Sequence, residues 1–329
     1  MPFRLAAIAI LAAAAMMISL LVGGSYLSAS TIIFSLFHPA TPGDAGSIIW
    51  QLRFPRVCIA AVVGGALAIA GAVLQGMLRN PLVDPYLTGV SAGAAAAVAI
   101  AIAIGVATPV LPGVGFVAGL ATALVVAALA RRGAGIDAQR LILAGVSLSA
   151  LFSAIVALVL TRLQQGGYAE TIIAWLAGSL AGRGWHELWA AVPYAFVGLL
   201  LALGSVRALN ALRLGDVRAA ALGVNVDRAH WFILCAAAML TASAVSLSGI
   251  VGFVGLIVPH IARRAIGGDA RHVIVASLML GAGLMALADA ASRALLPPLE
   301  IPVGVLLAFI GVPTFLYLYL RSDRAGSWL

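Results

Sequence analysis

Long uninterrupted apolar runs, separated by short polar breaks, dominate the chain. The runs GALAIAGAVL, AAAAVAIAIAIGVA and GLATALVVAALA are continuous, with no strand-like alternation of apolar and polar positions. Only helices and closed barrels cross a bilayer, because backbone groups in lipid must bond internally. Continuous apolar runs favour helices over barrel strands. The pattern therefore predicts an all-α polytopic membrane protein embedded in a lipid bilayer.

The polar breaks divide the chain into about ten candidate spans of the ~20 residues that a crossing needs. They fall at 5–25, 57–78, 86–106, 114–130, 140–161, 186–206, 231–247, 249–262, 273–290 and 302–320. The eighth is short, and the stretch 163–185 is ambiguous between a loop and a small surface helix. We interpret residues 1–329 as a single transmembrane permease domain.

Composition supports this interpretation, and charge orients it. The chain is 63% hydrophobic and 9% charged, with a mean hydropathy of +1.13. Its net charge of +8 comes from 19 arginines and no lysine, and the arginines divide unequally between alternate breaks. One set holds Arg4, Arg79, Arg131, Arg132, Arg140, Arg207, Arg213, Arg218, Arg228, Arg263, Arg264, Arg271, Arg321 and Arg324; the other holds only Arg53, Arg56, Arg162, Arg183 and Arg293. The positive-inside rule then predicts that both termini are cytoplasmic.

Several other interpretations are weaker. The N-terminal apolar run could be a signal peptide, but its length favours a retained first span. The arginines sit in short loops and form no basic stripe with interleaved aromatic residues, so nucleic-acid binding is not expected. Cys58 and Cys235 lie alone in distant spans, which predicts inert thiols and neither a disulfide nor a metal framework. We expect no cofactor.

The polar break RNPLVDP between the second and third spans is unusually sharp. Pro81 and Pro85 end one helix and help to start the next. Small residues recur at every fourth position on both sides of the break: Gly64, Ala68, Ala72 and Gly76 before it, and Gly89, Gly93, Ala97, Ala101 and Gly105 after it. Such spacing lets helix backbones approach closely. Spans two and three are therefore expected to be interior helices.

Seven segments together resemble the iron-chelate/vitamin B12 permease family, the membrane subunits of type II ABC importers. They are QLRFPR (51–56), GGALAIAGAVLQGMLRNPLVDPYLTGVSAGA (64–94), LILAGVSLSA (141–150), ALGV (221–224), SGIVGFVGLIVPHIARR (248–264), LADAASR (287–293) and IPVGVLLAFIGVPTFLYLYL (301–320). The resemblance implies a ten-helix subunit in the bacterial inner membrane, forming a homodimer around a central pathway. It also implies a periplasmic binding protein and two cytoplasmic ATP-binding subunits.

The resemblance also implies roles for residues at both ends of the spans. At the outer end, Arg53, Arg56 and Arg293 would receive glutamates of the binding protein; the alternatives are lipid headgroups or internal pairs with Asp44, Asp289 or Glu300. At the inner end, the break 207–230 would couple to the ATPase through its apolar side. The predicted coupling residues are Leu214, Val217, Ala221, Leu222, Gly223 and Val224.

A cytoplasmic gate is implied at two turns. Asn80 and Leu82 match the gate positions of the first turn, and Asp137 and Ala138 fall opposite them, although the family often has small hydroxyl residues there. Without the resemblance, the first turn is better explained as a helix-capping turn.

Three further polar features lie in or near spans. Gln75 would either line the pathway or form a hydrogen bond between helices. His260 follows Pro259 and is interpreted as structural, although a heme ligand is conceivable by residue type. Asp289 and Arg293 are spaced to pair with each other or to face water.

These observations predict the permease subunit of a bacterial ABC importer, which moves its substrate by alternating access. The chain itself would not be an enzyme, because it contains no GxxxxGK[ST] loop and ATP would be hydrolysed on the partner. Heme is the first-choice substrate, with ferric siderophore and cobalamin as alternatives. An ion-coupled secondary transporter would need ionisable residues deep in its spans, and the predicted span centres contain almost none. A membrane enzyme would need paired carboxylates or metal-spaced histidines, and the sequence shows neither pattern.

Overall fold

The computed structural model describes residues 1–23, 27–38, 44–132, 135–163 and 168–323. Over these ranges the regular secondary structure is helical apart from one small hairpin, and short turns and loops connect the elements. Arg324 and the end of the first predicted span, residues 24–25, lie outside the described residues. The helices are α1 (Pro2–Leu21), α2 (Ala29–Phe37), α3 (Asp44–Ser47), α4 (Phe54–Leu78), α5 (Val90–Ala103), α6 (Leu111–Leu129), α7 (Ala138–Arg162), α8 (Tyr168–Ala177), α9 (Trp185–Gly204), α10 (Val206–Leu212), α11 (Asp216–Ala221), α12 (Val226–Ser248), α13 (Val254–Ile266), α14 (Ala270–Ala294) and α15 (Val303–Asp323). The hairpin pairs β1 (Arg131–Arg132) with β2 (Gly135–Ile136).

Seven helical segments among the described residues are long and apolar enough to cross a membrane. They are Pro2–Leu21, Ala45–Leu78, Thr108–Leu129, Ala138–Arg162, Trp185–Gly204, Val226–Ser248 and Ala270–Ala294. Two shorter apolar helices, Val90–Ala103 and Val303–Tyr317, add to these. The all-α membrane architecture is thus confirmed. Each of the ten predicted spans overlaps a helix, but only seven of these helices meet the criteria, so the count of ten crossings stays a prediction.

Helix α4 lies at the centre of the fold, with α9, α12, α13 and α14 packed around it. Its glycines make this possible: a methyl group on Gly64 would collide with the carbonyl oxygen of Gly281 on α14, and one on Gly71 with that of Gly255 on α13. Backbones that approach this closely gain dispersion contacts without any hydrophobic drive from lipid. The prediction that span two is an interior helix is therefore confirmed.

Helix α5 follows the same principle over part of its length. Gly93 faces Thr122 of α6 so closely that a side chain at position 93 would collide with the threonine hydroxyl. At the far end, Gly105 has open space around it and ends the helix with a φ of +79°. The four-residue ladder of small residues thus serves close packing at Gly93, whereas Gly105 serves a turn.

The segment between the first two predicted spans contains structure that the apolar runs did not predict. Helix α2 lies between them in the sequence, and α3 and a six-residue π-helical turn (Ile48–Arg53) continue directly into α4. Ile32 and Ile49 are fully buried against Leu20 at the end of α1. These elements cap the N-terminal end of α4. At the other ambiguous stretch, 163–185, the chain forms α8, which packs on α5.

Candidate functional site

The predicted functional residues fall at the two ends of α4. Arg53 and Arg56 lie at its start and Arg79 at its end. With 25 residues and a rise of about 1.5 Å per residue, α4 is roughly 37 Å long. That length exceeds the ~30 Å hydrocarbon core of a bilayer. The two groups of residues can therefore lie at opposite membrane surfaces.

The first predicted gate turn is a chain of two side-chain caps. Arg79 ends α4 in the left-handed conformation, with a φ of 51°. The backbone N–H of Leu82 donates to Asn80 Oδ1 at 2.9 Å, and that of Tyr86 donates to Asp84 Oδ1 at 2.8 Å. Asn80 and Leu82 therefore sit on a turn whose shape is set by short polar side chains. This arrangement fits the capping interpretation and is compatible with gating.

Tyr86 joins the gate turn to the segment that leads into α13. Its hydroxyl donates to the carbonyl oxygen of Val251 at 2.7 Å and accepts from the Val251 N–H at 2.8 Å. One hydroxyl thus satisfies both backbone groups of a residue in a break between helices, where such groups would otherwise be orphaned. Sequence reasoning missed this contact, since its partners are 165 positions apart.

Gln75 forms a second junction beneath the same turn. It is 3% exposed, and its Nε2 donates to the carbonyl oxygens of Val83 and Gly255, each at 3.1 Å. Its Oε1 accepts a hydrogen bond from Arg263 of α13. The amide therefore satisfies several buried polar groups, as the hydrogen-bonding alternative for Gln75 requires. Its role in lining a pathway stays a prediction.

Asp84 has an altered acidity within the turn. Burial raises the pKa of its carboxyl to about 6, against an opposing effect of the hydrogen bond from the Tyr86 N–H. The charged carboxylate is poorly solvated there, so the folded protein favours the protonated form more than the unfolded chain does. The turn therefore contains a group that titrates close to neutral pH.

The second predicted gate loop is the hairpin that precedes α7. Asp137 caps α7, because its Oδ1 accepts from the Arg140 N–H at 2.9 Å, and Ala138 is the first residue of that helix. On the other side of the hairpin, Arg131 pairs with Asp227 at 3.2 Å. Asp137 and Ala138 thus occupy a well-defined helix start, and whether they close a pathway is not tested by these contacts.

The predicted coupling break folds into two short helices, α10 and α11, and exposed apolar side chains lie on α11 and directly before and after it. Val217 is 85% exposed, Leu222 65% and Leu214 53%. Ala221 and Gly223 are also exposed, whereas Val224 is half-buried and packs against the core. An exposed cluster of large apolar side chains on a short helix is typical of a partner surface. We call Leu214, Val217, Ala221 and Leu222 the α11 patch.

At the opposite end of α4, Arg56 lies in a network of carboxylates. Its Nε donates to both oxygens of Asp289, at 3.0 and 3.1 Å, and its two terminal nitrogens bond Glu300 at 3.2 and 2.9 Å. Asp289 is fully buried and also receives Arg293 at 3.1 Å, which confirms the predicted pairing of these two residues. Two guanidinium groups therefore share one buried carboxylate.

Arg53 and Arg293 hold the end of α1. Arg53 donates to the carbonyl oxygens of Leu20 and Leu21 at 3.1 and 3.3 Å, and Arg293 donates to those of Ser19 and Val22. These carbonyls lie at the C-terminal end of α1, where no following turn of the helix supplies N–H groups to bond them. The two arginines are only 6% and 8% exposed. All three predicted docking arginines are thus engaged internally, and docking stays a prediction.

Other potential chemistry is limited over the part of the chain that the structure describes. That part holds no group of three or more histidine, cysteine or acidic residues arranged to bind a metal ion. Cys58 and Cys235 are free thiols. Ion pairs instead occur at the two ends of the helices.

The arrangement described so far is that of a polytopic α-helical membrane protein with exposed apolar side chains at one end and an arginine–carboxylate network at the other. The chain belongs to the FecCD transport family, which matches residues 10–321.

Relatives with several transport names match the chain over most of its length. The hemin transport system permease protein of Yersinia pestis is 38% identical over 95% of both chains. The cobalamin import system permease protein of Halobacterium salinarum is 38% identical over 90% of this chain and 80% of its own. The Fe(3+) dicitrate transport system permease protein of Escherichia coli is 39% identical, over 83% and 85% respectively.

A solved structure supports the fold. It is described as an inward-facing conformation of an ABC transporter assigned to the metal-chelate type, and it matches with a TM-score of 0.86 and 31% identity. The match covers 98% of this chain and 100% of the other. The helical order described above is therefore that of an ABC transporter membrane subunit.

Proposed function

We propose that this protein is the permease subunit of an ABC importer that carries heme or a similar iron chelate from the periplasm to the cytoplasm. The observation that carries the proposal is the α11 patch, an exposed apolar surface at one membrane face of a FecCD-family chain. A soluble loop with no partner would not retain Val217 at 85% exposure and Leu222 at 65%. An ATP-binding subunit supplies a groove that would cover it.

Alternating access follows from this arrangement. ATP hydrolysis takes place on two separate ATP-binding subunits, since this chain has no lysine to complete a phosphate-binding P-loop. Movement of α11 is passed to the gate turn at Asn80 and Leu82 and to the loop at Asp137 and Ala138. Two copies of the chain, each with ten crossings and with both termini in the cytoplasm, enclose the pathway.

The binding protein docks at the opposite face, and Arg56 is the residue best placed to meet it. Arg56 is 13% exposed and Glu300 41%, so this pair borders solvent, whereas Arg53 and Arg293 are more deeply buried. A partner glutamate would displace Glu300 from Arg56 and keep the charge balanced. Arg53 and Arg293 support the docking surface from behind by fixing the end of α1.

The proposed substrate is a bulky iron chelate or macrocycle, with heme preferred. The transport names of the relatives include hemin, Fe(3+) dicitrate and cobalamin, all bulky chelates or macrocycles. Heme is preferred because the spans carry few charges, and such a lining suits a large flat apolar ligand. Ferric siderophore and cobalamin are the alternatives.

Uptake into proteoliposomes tests the substrate. The chain is reconstituted with its ATP-binding subunit and binding protein, and hemin, a ferric hydroxamate, Fe(3+) dicitrate and cobalamin are supplied separately in the binding-protein compartment. Saturable accumulation of hemin above the other three supports the proposal. Preferred accumulation of another chelate would replace heme but keep the permease, and accumulation of none would contradict both.

A further inference from the structure

Asp216, the first residue of α11, lies between the two predicted gate elements. Its Oδ1 is 3.4 Å from Nη2 of Arg79, which ends α4 immediately before the gate residue Asn80. Its Oδ2 is 3.9 Å from Nε2 of His230 on α12. One carboxylate of the coupling segment thus faces both α4 and α12.

His230 extends this contact to the second gate loop. Its Nδ1 accepts a hydrogen bond from the backbone N–H of Ile136 at 3.1 Å, and Ile136 directly precedes Asp137. An accepting Nδ1 is unprotonated, so the neutral imidazole carries its proton on Nε2. That nitrogen is buried, makes no hydrogen bond to any residue the structure describes, and faces Asp216. The ring is therefore oriented toward the coupling segment by the hairpin itself.

The local backbone favours this meeting. Gly215, before Asp216, has a φ of 101°, and a methyl group there would lie 3.1 Å from Nη1 of Arg79. Glycine tolerates that conformation and leaves room for the guanidinium. Arg79 in turn ends α4 in the left-handed conformation, which directs the next residues into the gate turn.

Stability alone does not account for the cluster. The Arg79 and Asp216 side chains are 46% and 41% exposed, and an exposed pair of this kind contributes only about 0–1 kcal/mol. The distance from Asp216 to His230 is longer than a hydrogen bond, whose normal limit is about 3.2 Å. A shift of α11 by roughly 1 Å would close it.

We propose that Asp216 transmits the movement of α11 to both gate elements, through Arg79 to the turn at Asn80 and through His230 and Ile136 to the loop at Asp137. The inference rests on the proposed function, because it concerns how the ATPase-facing helix controls the gate. Arg79, Asp216 and His230 act as positioning residues: each determines where a gate loop lies, and none needs to touch the substrate.

We call the contact from Asp216 through Arg79 the first arm and the contact through His230 the His230 arm. Substitutions that separate charge, shape and hydrogen bonding test both. Asp216→Asn removes the charge and keeps the size, and Asp216→Ala removes both arms. His230→Asn retains an acceptor for the Ile136 N–H where Nδ1 lies but removes Nε2, whereas His230→Leu removes both. Exchanging the charges in Arg79→Asp with Asp216→Arg should restore the first arm only. The matched control is Glu187→Gln, which neutralises a carboxylate that accepts a hydrogen bond from the Gly184 N–H at the start of α9, at the opposite end of that helix from α10.

The first readout is the ATP hydrolysed per hemin imported by the reconstituted complex. The second is the ATP-induced change in the distance between two spin labels, one on each of the two copies of the chain. Each label is attached at Ala138→Cys in a Cys58→Ser, Cys235→Ser background. We expect Asp216→Ala to raise the ATP consumed per hemin about tenfold and to abolish the distance change, with a smaller effect for His230→Asn. The charge exchange should recover part of the coupling, and Glu187→Gln should resemble the parent.

The outcomes separate the inference from the function on which it rests. If the parent complex imports hemin with ATP and Asp216→Ala has the parent's ratio and distance change, the transmission role is refuted while the permease stands. If His230→Leu is impaired but His230→Asn matches the parent, the His230 arm serves only the hairpin. If the parent imports none of the four chelates, the proposed function itself fails.

Discussion

At the scale of single residues, the buried carboxylate of Asp289 is stabilised by two arginine partners. It is fully buried and receives hydrogen bonds from both Arg56 and Arg293. Removing one partner from a buried ion pair leaves an uncompensated charge, which costs about 3–5 kcal/mol. The four-residue spacing indicated the pairing with Arg293, whereas the pairing with Arg56, 233 positions away, was only one of the alternatives for the outer arginines.

Asp289→Asn should therefore lower stability strongly, because two guanidinium groups lose their shared negative charge. We expect a loss of about 3–5 kcal/mol in the free energy of unfolding. Glu300→Gln is the matched control: Glu300 is 41% exposed and bonds only Arg56, so about 0–1 kcal/mol should be lost. Thermal unfolding of the purified protein in detergent measures both. Equal losses would show that burial of Asp289 does not matter.

Gly93 tests close packing between helices. Gly93→Leu should destabilise the protein by about 1–3 kcal/mol or prevent assembly, because the added side chain meets Thr122 of α6. Gly113→Leu is the control, since a Cβ atom added at that position has no heavy atom within 4 Å. Size-exclusion chromatography and unfolding temperature report the outcome. If both variants behave like the parent, α5 and α6 are not closely packed in the membrane.

Asp84 predicts a pH dependence with a definite sign. Its pKa is raised to about 6 in the folded protein from an ordinary value of 3.8, so its contribution to stability is greatest below pH 3.8 and is lost as pH rises to about 6. Asp84→Asn keeps an acceptor for the Tyr86 N–H and lacks the titration. We expect the asparagine variant to become the more stable of the two across this window, by at most about 3 kcal/mol. Unfolding midpoints at pH 4, 5, 6 and 7.5 measure the difference. A constant difference over this range would contradict the raised pKa.

At the scale of elements, apolar runs located the long helices well and the short elements poorly. The ten predicted spans all overlap helices, because a crossing segment must be apolar throughout and helical. Helix α2, α3 and the π-helical turn before α4 were missed, since nine or fewer residues with mixed polarity give no clear periodicity. The gate and docking residues were placed by family resemblance, and the contacts among them depend on tertiary packing that no local pattern records.

The coupling role proposed for α11 depends on contact with the ATP-binding subunit. Val217→Asp combined with Leu222→Asp should lower ATP-driven uptake at least about tenfold, because charges cannot enter an apolar groove without losing solvation. Both side chains are largely exposed, so the fold should persist. Val217→Ile combined with Leu222→Met is the control that preserves the apolar surface. Co-purification with the ATP-binding subunit gives a direct measure. Unchanged uptake and co-purification in the aspartate variant would remove α11 from the coupling role.

At the scale of the whole molecule, α4 runs from the arginine–carboxylate network at one end to the gate turn and the proposed coupling segment at the other. Its packing against α9, α12, α13 and α14 buries it at the centre of the helices, while the segments at either end carry the polar contacts. A transporter needs this division, since the core must keep its structure while loops at the two faces change theirs. The FecCD family match over residues 10–321 covers both ends.

The energy source for transport tests the central claim most directly. Proteoliposomes that contain the chain, its ATP-binding subunit and its binding protein are assayed for hemin uptake with ATP, with a non-hydrolysable ATP analogue, or with a sodium or proton gradient and no nucleotide. Our account predicts uptake with ATP alone, and none with the analogue or with either gradient. Uptake driven by an ion gradient without ATP would contradict it and would identify an ion-coupled secondary transporter.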